Sequence, residues 1–329
     1  MKDPTGPQAR GRGIVHRLLR TRSGRAGLAL LLPMVTVALL SPALGRILPR
    51  EFTATDLSLR DAPPGAGHPL GTDGLGRDVL ARLVRAAGVS LGTGFFSTAL
   101  ALAVAIAIGS LAGTRGGWTD LLLSRAMEVV LSFPALFLIL VLMGSGPPIV
   151  RAIPPLVRIV AVLGLTGWTG MARHLRAEIL KLRQAEFVLA ARVSGAGPLR
   201  VWRRHLLPNA LAPVIVSAAF FAAHAILLES SVSFLGFGIQ PPEPSWGSML
   251  ADAQESLTRG WWLALAPGLA LFACVAGCNL LGEALRQALD PGWSTTRRGE
   301  PPDPCLSPAP AGSWDSAARA RPAGGPETR

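Results

Sequence analysis

Long uncharged apolar runs punctuate this chain, separated by segments rich in arginine, proline and glycine. Gly88 to Gly113 runs 26 residues without a charge, Trp261 to Gly282 runs 22, and Ala210 to Leu228 runs 19. A helix needs about 20 mostly apolar residues to cross a hydrocarbon core of roughly 30 Å. The core elements of a water-soluble domain do not call for runs of that length. Three weaker runs complete the set. Ala26 to Gly45 is uncharged but holds Pro33 and Pro42, and Ala126 to Gly144 holds Glu128 near its start. Ile149 to Ala172 is interrupted by Arg151 and Arg158, which can snorkel to an interface. The pattern predicts an all-α polytopic membrane protein with six transmembrane helices. It divides the chain into a basic N-terminal tail (1–25), a first span (26–46), a loop (47–86), a five-helix core (87–285) that includes a long loop at 173–209, and a C-terminal tail (286–329).

Composition agrees with this pattern. Half of the residues are apolar and 16% are charged, where soluble domains carry about a quarter. Lys+Arg 32 against Asp+Glu 20 gives +12, and all but Lys2 and Lys181 of the cations are arginine. An acidic disordered protein is excluded, and three cysteines are too few for a disulfide-stapled secreted domain. A basic nucleic-acid binder and a membrane protein with cations on one side both remain.

The distribution of charge separates them. With six spans, the segments on one side carry 22 Lys and Arg and those on the other side nine, with Arg125 at a span edge. The six in 46–87 are nearly balanced by Glu51, Asp56, Asp61, Asp73 and Asp78. Positive charge marks the cytoplasmic face, so both termini and loop 173–209 are expected in the cytoplasm. Cations divided by a bilayer cannot form one nucleic-acid surface. A signal peptide would need a 25-residue cationic leader and an apolar stretch broken by two prolines, so the first span reads as uncleaved. The tail from Ser294 is rich in Pro, Gly, Ala and Ser; it is expected to be disordered, with Cys305 a free thiol.

Loop 173–209 contains the sharpest signal. Leu175, Ile179, Leu182, Ala185, Leu189 and Val193 recur at helical spacing, with Arg and Glu between them, which predicts one amphipathic helix to about Val193. Ser194-Gly195-Ala196-Gly197 breaks it, and Gly195 and Gly197 supply the change of direction. Pro198 suits the first position of a second short helix, ended by Pro208. That helix carries Arg200, Arg203 and Arg204 around Trp202. An aromatic ringed by arginines is a typical interface anchor, whereas a loop serving topology alone would need only the charges.

The segment Leu189-Ala190-Ala191, then Gly195, then His205-Leu206-Leu207-Pro208 resembles the EAA loop of permease subunits of binding-protein-dependent ABC importers. Ala190, Ala191, Gly195, Leu207 and Pro208 match. Leu189 stands where that pattern has Glu, and His205 where it has Ile; Glu186, one turn earlier, stands in for the missing carboxylate. His68-Pro69-Leu70-Gly71-Thr72-Asp73 with Gly76-Arg77-Asp78 is similar to a segment of the dipeptide, oligopeptide and nickel branch of that family. So are Glu229 to Gly238 with Pro241 to Gly247, and Leu289-Asp290-Pro291. The resemblance covers about 26 to 292 and points to the C-type subunit. It implies the type I importer permease fold in a bacterial inner membrane and half of a translocation pathway for peptides, with nickel or glutathione as alternatives. It also implies a second homologous permease, two ATP-binding subunits and an extracytoplasmic solute-binding protein. In that reading the helix at Trp202 is the coupling helix, set in an ATPase groove through Glu186, Ala190, Ala191, Gly195, Gly197, Arg200, Trp202, Arg203, Arg204, Leu207 and Pro208.

Catalytic chemistry is not expected in this chain. A phosphate-binding loop needs Gly-Lys-Ser/Thr, but Lys2 follows Met1 and Lys181 follows Leu180. The stretch Gly71 to Arg77 is glycine-rich without lysine, so it reads as a structural turn, and ATP hydrolysis falls to separate subunits. No cofactor or metal is implied. Cys274 and Cys278, at i and i+4, read as small packing residues, and Gly88, Gly92, Gly94, Gly109 and Gly113 as contacts for close helix packing. Ionisable residues inside spans are functional candidates by default. Glu128 and Glu283 lie near span ends, which leaves His224 and Glu229 as candidates for the path. A secondary transporter that works without an ATPase is the alternative, but it would favour inverted repeats and buried coupling carboxylates.

Overall fold

The computed structural model describes residues 16–47, 52–145, 152–258 and 260–289. The tail from Ser294, with Cys305, lies outside these residues. Among those described, the regular structure is helical and strands are absent. The first span, α1 (Arg22–Ile47), continues through Pro33 and Pro42. Pro42 cannot donate to the Ala38 carbonyl, and the Ser41 hydroxyl donates there instead at 2.8 Å. Helix α2 (Val79–Arg115) starts at Asp78, whose carboxylate accepts the Ala81 amide at 2.8 Å, and ends at Gly116 with φ 69°.

The third predicted span is not a single helix. Helices α3 (Gly117–Ser132) and α4 (Ala135–Gly144) meet at an angle of 81°. Pro134 disfavours the helical region for its predecessor, and Phe133 is extended at φ −91°, ψ 132°. Helix α3 also begins nine residues before the apolar window at Ala126, because its charges are paired: Arg125 with Glu128 at 2.6 Å, and Asp120 with Arg176. Among the described residues, five helices are therefore long and apolar enough to cross a membrane, and six if the bent pair counts as one span.

The remaining spans are α5 (Pro155–Leu182), α8 (Leu207–Phe234) and α10 (Trp262–Leu289). Two short elements, α6 (Glu186–Val193) and α7 (Pro198–Val201), fall between α5 and α8, and α9 (Trp246–Glu255) precedes α10. Helix α2 is central and packs on α5, α1 and α8, while α10 packs on α1, α8 and α9. Glycines set the closest approaches. A Cβ at Gly109 would lie 2.7 Å from the Ala172 carbonyl oxygen, and one at Gly113 would lie 2.9 Å from the Ile179 side chain. Gly88 meets Ser41 and Gly94 meets Ile226, whereas Gly92 faces open space. Cys274 is buried and Cys278 half-buried in the apolar seam between α10 and its neighbours. Outward-facing Leu39, Phe95, Phe137, Leu165 and Phe272 leave the bundle apolar on its perimeter, as lipid contact requires.

Candidate functional site

Loop 173–209 breaks earlier than its periodicity predicts. The helix ends at Leu182, a turn follows, and Ala185 is extended at ψ 141° before α6 begins. The break resets the helical phase. Leu175 and Ile179 are buried as expected, but within α6 it is Val188 that is buried, while Leu189 is exposed and Val193 is 90% exposed.

The exit from α6 is a Schellman motif. The Gly195 amide donates to the Arg192 carbonyl at 2.9 Å, and the Ala196 amide to the Ala191 carbonyl at 3.0 Å. Gly195 has φ +80°, the left-handed conformation that only glycine adopts cheaply. Gly197 has φ −63° and no neighbour within reach of a Cβ, so it is not needed for the turn. One glycine redirects the chain, where two were expected.

Pro198 occupies the first turn of α7, as its fixed φ predicts. Pro208, however, does not end the helix. Trp202–Leu206 form a π turn that leads directly into α8. The Leu207 amide reaches the Trp202 carbonyl five residues back. This wider turn accommodates Pro208, which has no N–H to donate and a ring that clashes with a regular i−4 carbonyl. The Asn209 side-chain amide donates to the His205 carbonyl at 2.7 Å.

Buried side chains tie this loop to the bundle. Val188, Val201 and Leu206 lie in one cluster with Met171, Leu175 and Ile179 of α5, Ala101 and Ala105 of α2, and Ala210 and Val214 of α8. The outer surface is apolar and basic. Leu199 is 65% exposed and Phe187 and Val193 are exposed too, as are Arg200, Arg203 and Arg204, which have no acidic partner among the described residues. Glu186 is exposed in the first turn of α6, Ala190 is exposed, Ala191 and Leu207 are half-buried, and Pro208 is exposed. Trp202 is half-buried and turned toward α2 rather than outward. The exposed apolar side chains of this loop therefore include Phe187, Leu189, Val193 and Leu199, of which the helical phase assumed from Leu175 onward had placed Leu189 and Val193 on the packed face.

A second constellation occupies the opposite end of α2 and α8. Asp73 accepts from the amides of Leu75 (2.9 Å) and Arg77 (3.0 Å), from Arg77 Nε (2.7 Å) and from Arg82. Both arginines also reach Asp252 on α9, at 3.0 and 2.8 Å. Burial of Asp73 opposes ionisation, but the Arg82 guanidinium, the Arg77 amide and guanidinium and the Leu75 amide outweigh it, and the carboxyl stays below its ordinary range. His68 Nδ1 lies 2.7 Å from the Asp78 carboxylate, and Arg85 holds Glu243 through two bonds of 2.6 and 2.7 Å. The glycine-rich stretch is thus a structural turn, as its lack of lysine suggested.

The structure separates the two path candidates. His224 is exposed on α8. Glu229 is 0% exposed and lines no open face. Its carboxylate accepts from Ser90 of α2 (3.1 Å) and from Ser233 (2.8 Å). The same two hydroxyl oxygens accept the amides of Trp246 and Ile239 at 3.2 and 3.0 Å. One carboxylate thereby joins α2, α8 and the start of α9. No three His, Cys, Asp or Glu side chains converge as a metal site among the described residues.

The family described as "Binding-protein-dependent transport system inner membrane component" matches residues 105–295. A putative peptide transport system permease protein of Brucella suis biovar 1 is 40% identical over 282 residues, covering 84% of this chain and 90% of its own length. The dipeptide transport system permease proteins of Bacillus subtilis and Alkalihalophilus pseudofirmus are 36% and 34% identical. Each covers 84% of this chain, with 84% and 88% of their own lengths matched.

Proposed function

This chain belongs to the family of binding-protein-dependent transport system inner membrane components, and from that membership we propose how it works. It is a transmembrane permease subunit of an ABC importer. Its solute is a peptide or dipeptide, the class named for its relatives. It pairs with a second homologous permease, two ATP-binding subunits that carry out hydrolysis, and an extracytoplasmic solute-binding protein. Both termini and loop 173–209 face the cytoplasm, a reading supported by the 22 to 9 division of cationic residues.

The observation that carries this proposal is the continuity of the buried cluster around Val188, Val201 and Leu206 with α5 and α8. Phe187, Val193 and Leu199, with Arg200, Arg203 and Arg204, form the surface that enters the ATPase groove. Apolar contacts supply the burial and guanidinium groups meet carboxylates or carbonyls of the partner. Closure of the ATPase dimer then displaces a turn that cannot move without α5 and α8, because close-packed interiors transmit displacement rather than absorb it. Glu229 keeps the far end of α8 attached to α2 and α9, so α8 moves as one body. The exposed imidazole of His224 lies on the path between the two permeases. An ionisable group exposed midway along an apolar span favours that face over lipid.

The test is uptake of a radiolabelled dipeptide into proteoliposomes. ATP-dependent uptake is expected only when the ATPase subunits, the second permease and the binding protein are all present. Uptake by this chain alone would establish a secondary transporter and overturn the proposal.

A further inference from the structure

The last turns of α2 change character abruptly. Ala103, Ile106 and Leu111 form an apolar wall, the uncharged run ends at Gly113, and Arg115 closes the helix. That wall is one side of a cleft of about 820 Å³, and Trp202 of the π turn lies on the other side. Arg183 and Arg192 line it as well, and Arg183 is held level with the last turn of α2 by a 3.0 Å bond to the Gly113 carbonyl. No acidic side chain lines the cleft among the described residues. Asp120, whose charge is felt by Arg183, is already engaged by Arg176. Arg115 and Arg192 have no anionic partner among the described residues.

The charged groups of the cleft are the guanidinium groups of Arg115, Arg183 and Arg192, all donors. Ser110 and Trp202 also belong to its walls, but Ser110 Oγ and Trp202 Nε1 are buried behind that surface, without a hydrogen-bond partner among the described residues. Three cations facing one space repel each other unless an anion enters. A free anion would satisfy the arginines but leave the apolar wall wet. A phospholipid satisfies both, since its phosphate and ester oxygens are acceptors and its acyl chains are apolar. The position fits as well: Arg115 stands just past the end of an apolar span, at the depth of lipid headgroups. The volume lies in the range of small-ligand sites.

We propose that this cleft binds one anionic phospholipid. Its phosphate lies among Arg115, Arg183 and Arg192, and an acyl chain lies along Ala103, Ile106 and Leu111. The bound lipid wedges between α2 and Trp202, so it governs how freely the coupling turn moves. This regulatory role rests on the assignment of loop 173–209 to the ATPase; binding of the lipid does not.

The complete importer, purified and placed in nanodiscs, serves for the test. Nanodiscs contain phosphatidylcholine alone, phosphatidylcholine with phosphatidylglycerol, or phosphatidylcholine with added inorganic phosphate. Lipid retained by the complex is measured by native mass spectrometry, alongside ATP hydrolysis and co-purification of the ATPase subunits. One tightly retained phosphatidylglycerol per chain is expected. Arg115→Gln and Arg192→Gln should each weaken its retention roughly 5-fold, and the double variant about 25-fold. The Arg115→Lys/Arg192→Lys variant should keep most of it, which separates lost charge from misfolding. Hydrolysis should depend on phosphatidylglycerol in the native importer and not in the double Gln variant, with ATPase co-purification unchanged. Undiminished retention in the double Gln variant overturns the lipid site. Replacement of the lipid effect by inorganic phosphate overturns the lipid as occupant. Loss of the ATPase subunits with lipid still bound assigns the arginines to docking and overturns the proposal. If lipid retention behaves as expected but hydrolysis ignores phosphatidylglycerol, the binding site stands and the regulatory role falls.

Discussion

Gly195→Ala tests the coupling loop where its geometry is most exacting. Gly195 sits at φ +80°, and a Cβ there would meet nothing within 4 Å. The substitution therefore introduces no clash, only backbone strain of about 1–2 kcal/mol for an L-residue in the left-handed region. The chain can escape that strain by leaving the region, but it then forfeits the Gly195 to Arg192 and Ala196 to Ala191 hydrogen bonds, each worth about 1 kcal/mol. The two costs are comparable, so the free loop frays while the docked loop must hold the native turn. The strain appears in the docking equilibrium and lowers affinity for the ATPase subunits by up to roughly 5- to 30-fold. Gly197→Ala is the internal control, because φ −63° suits any residue and its Cβ also has open space. Gly195→Asn should lose less than Gly195→Ala, since Asn tolerates this conformation better. The assay titrates purified ATPase subunits onto nanodiscs containing both permeases and reads bound ATPase. Equal losses at 195 and 197, or none at 195, would refute the argument.

Three further outcomes follow from the packing. Glu229→Leu leaves the Ser90 and Ser233 hydroxyls without their acceptor. It should lower stability by about 1–3 kcal/mol per donor, read as a lower thermal unfolding midpoint with ATPase association unchanged. Gly109→Val forces a Cβ to 2.7 Å from the Ala172 carbonyl oxygen, an overpacking cost of about 1–3 kcal/mol, whereas Gly92→Ala should be silent in the same melt. Asp73 titrates below its ordinary 3.8 in the folded protein, so its stabilisation is complete above that value and is lost as pH falls through the folded one. Thermal stability of the native chain should therefore drop on acidification below about 3.8. Asp73→Asn, which leaves Arg77 and Arg82 with Asp252 as their carboxylate partner and is weakened by about 1–3 kcal/mol, should show less of that drop.

Much of this architecture was legible in the sequence. The uncharged runs located α2, α8 and α10, because a bilayer demands apolar length and little else competes with that demand. Pro198 and Gly195 announced their positions through backbone chemistry that is local to each residue. Three features carry no local signal of their own. Helix α3 begins well before its apolar window because Arg176, 56 residues away, neutralises Asp120. The phase of α6 depends on an extended residue at Ala185, which nothing in an alanine signals. The π turn at Trp202 reconciles Pro208 with an unbroken helix, where the usual rule for proline predicts a stop. Glu229 was singled out as an intramembrane carboxylate, but its role depends on serines from α2 and α8 that only the tertiary fold assembles.

The unbroken passage from the π turn into α8 makes that helix a lever of fixed length. Its 28 residues extend about 42 Å at 1.5 Å per residue. A tilt of roughly 10° at the loop end therefore sweeps the far end through about 7 Å. The same rigidity constrains how the gene can change. One residue inserted between Leu207 and Glu229 would turn the two ends by about 100° relative to each other, detaching the serine knot from the docking surface it must follow. Deletions and insertions are thus barred from this stretch by rotation alone, whatever their side chains.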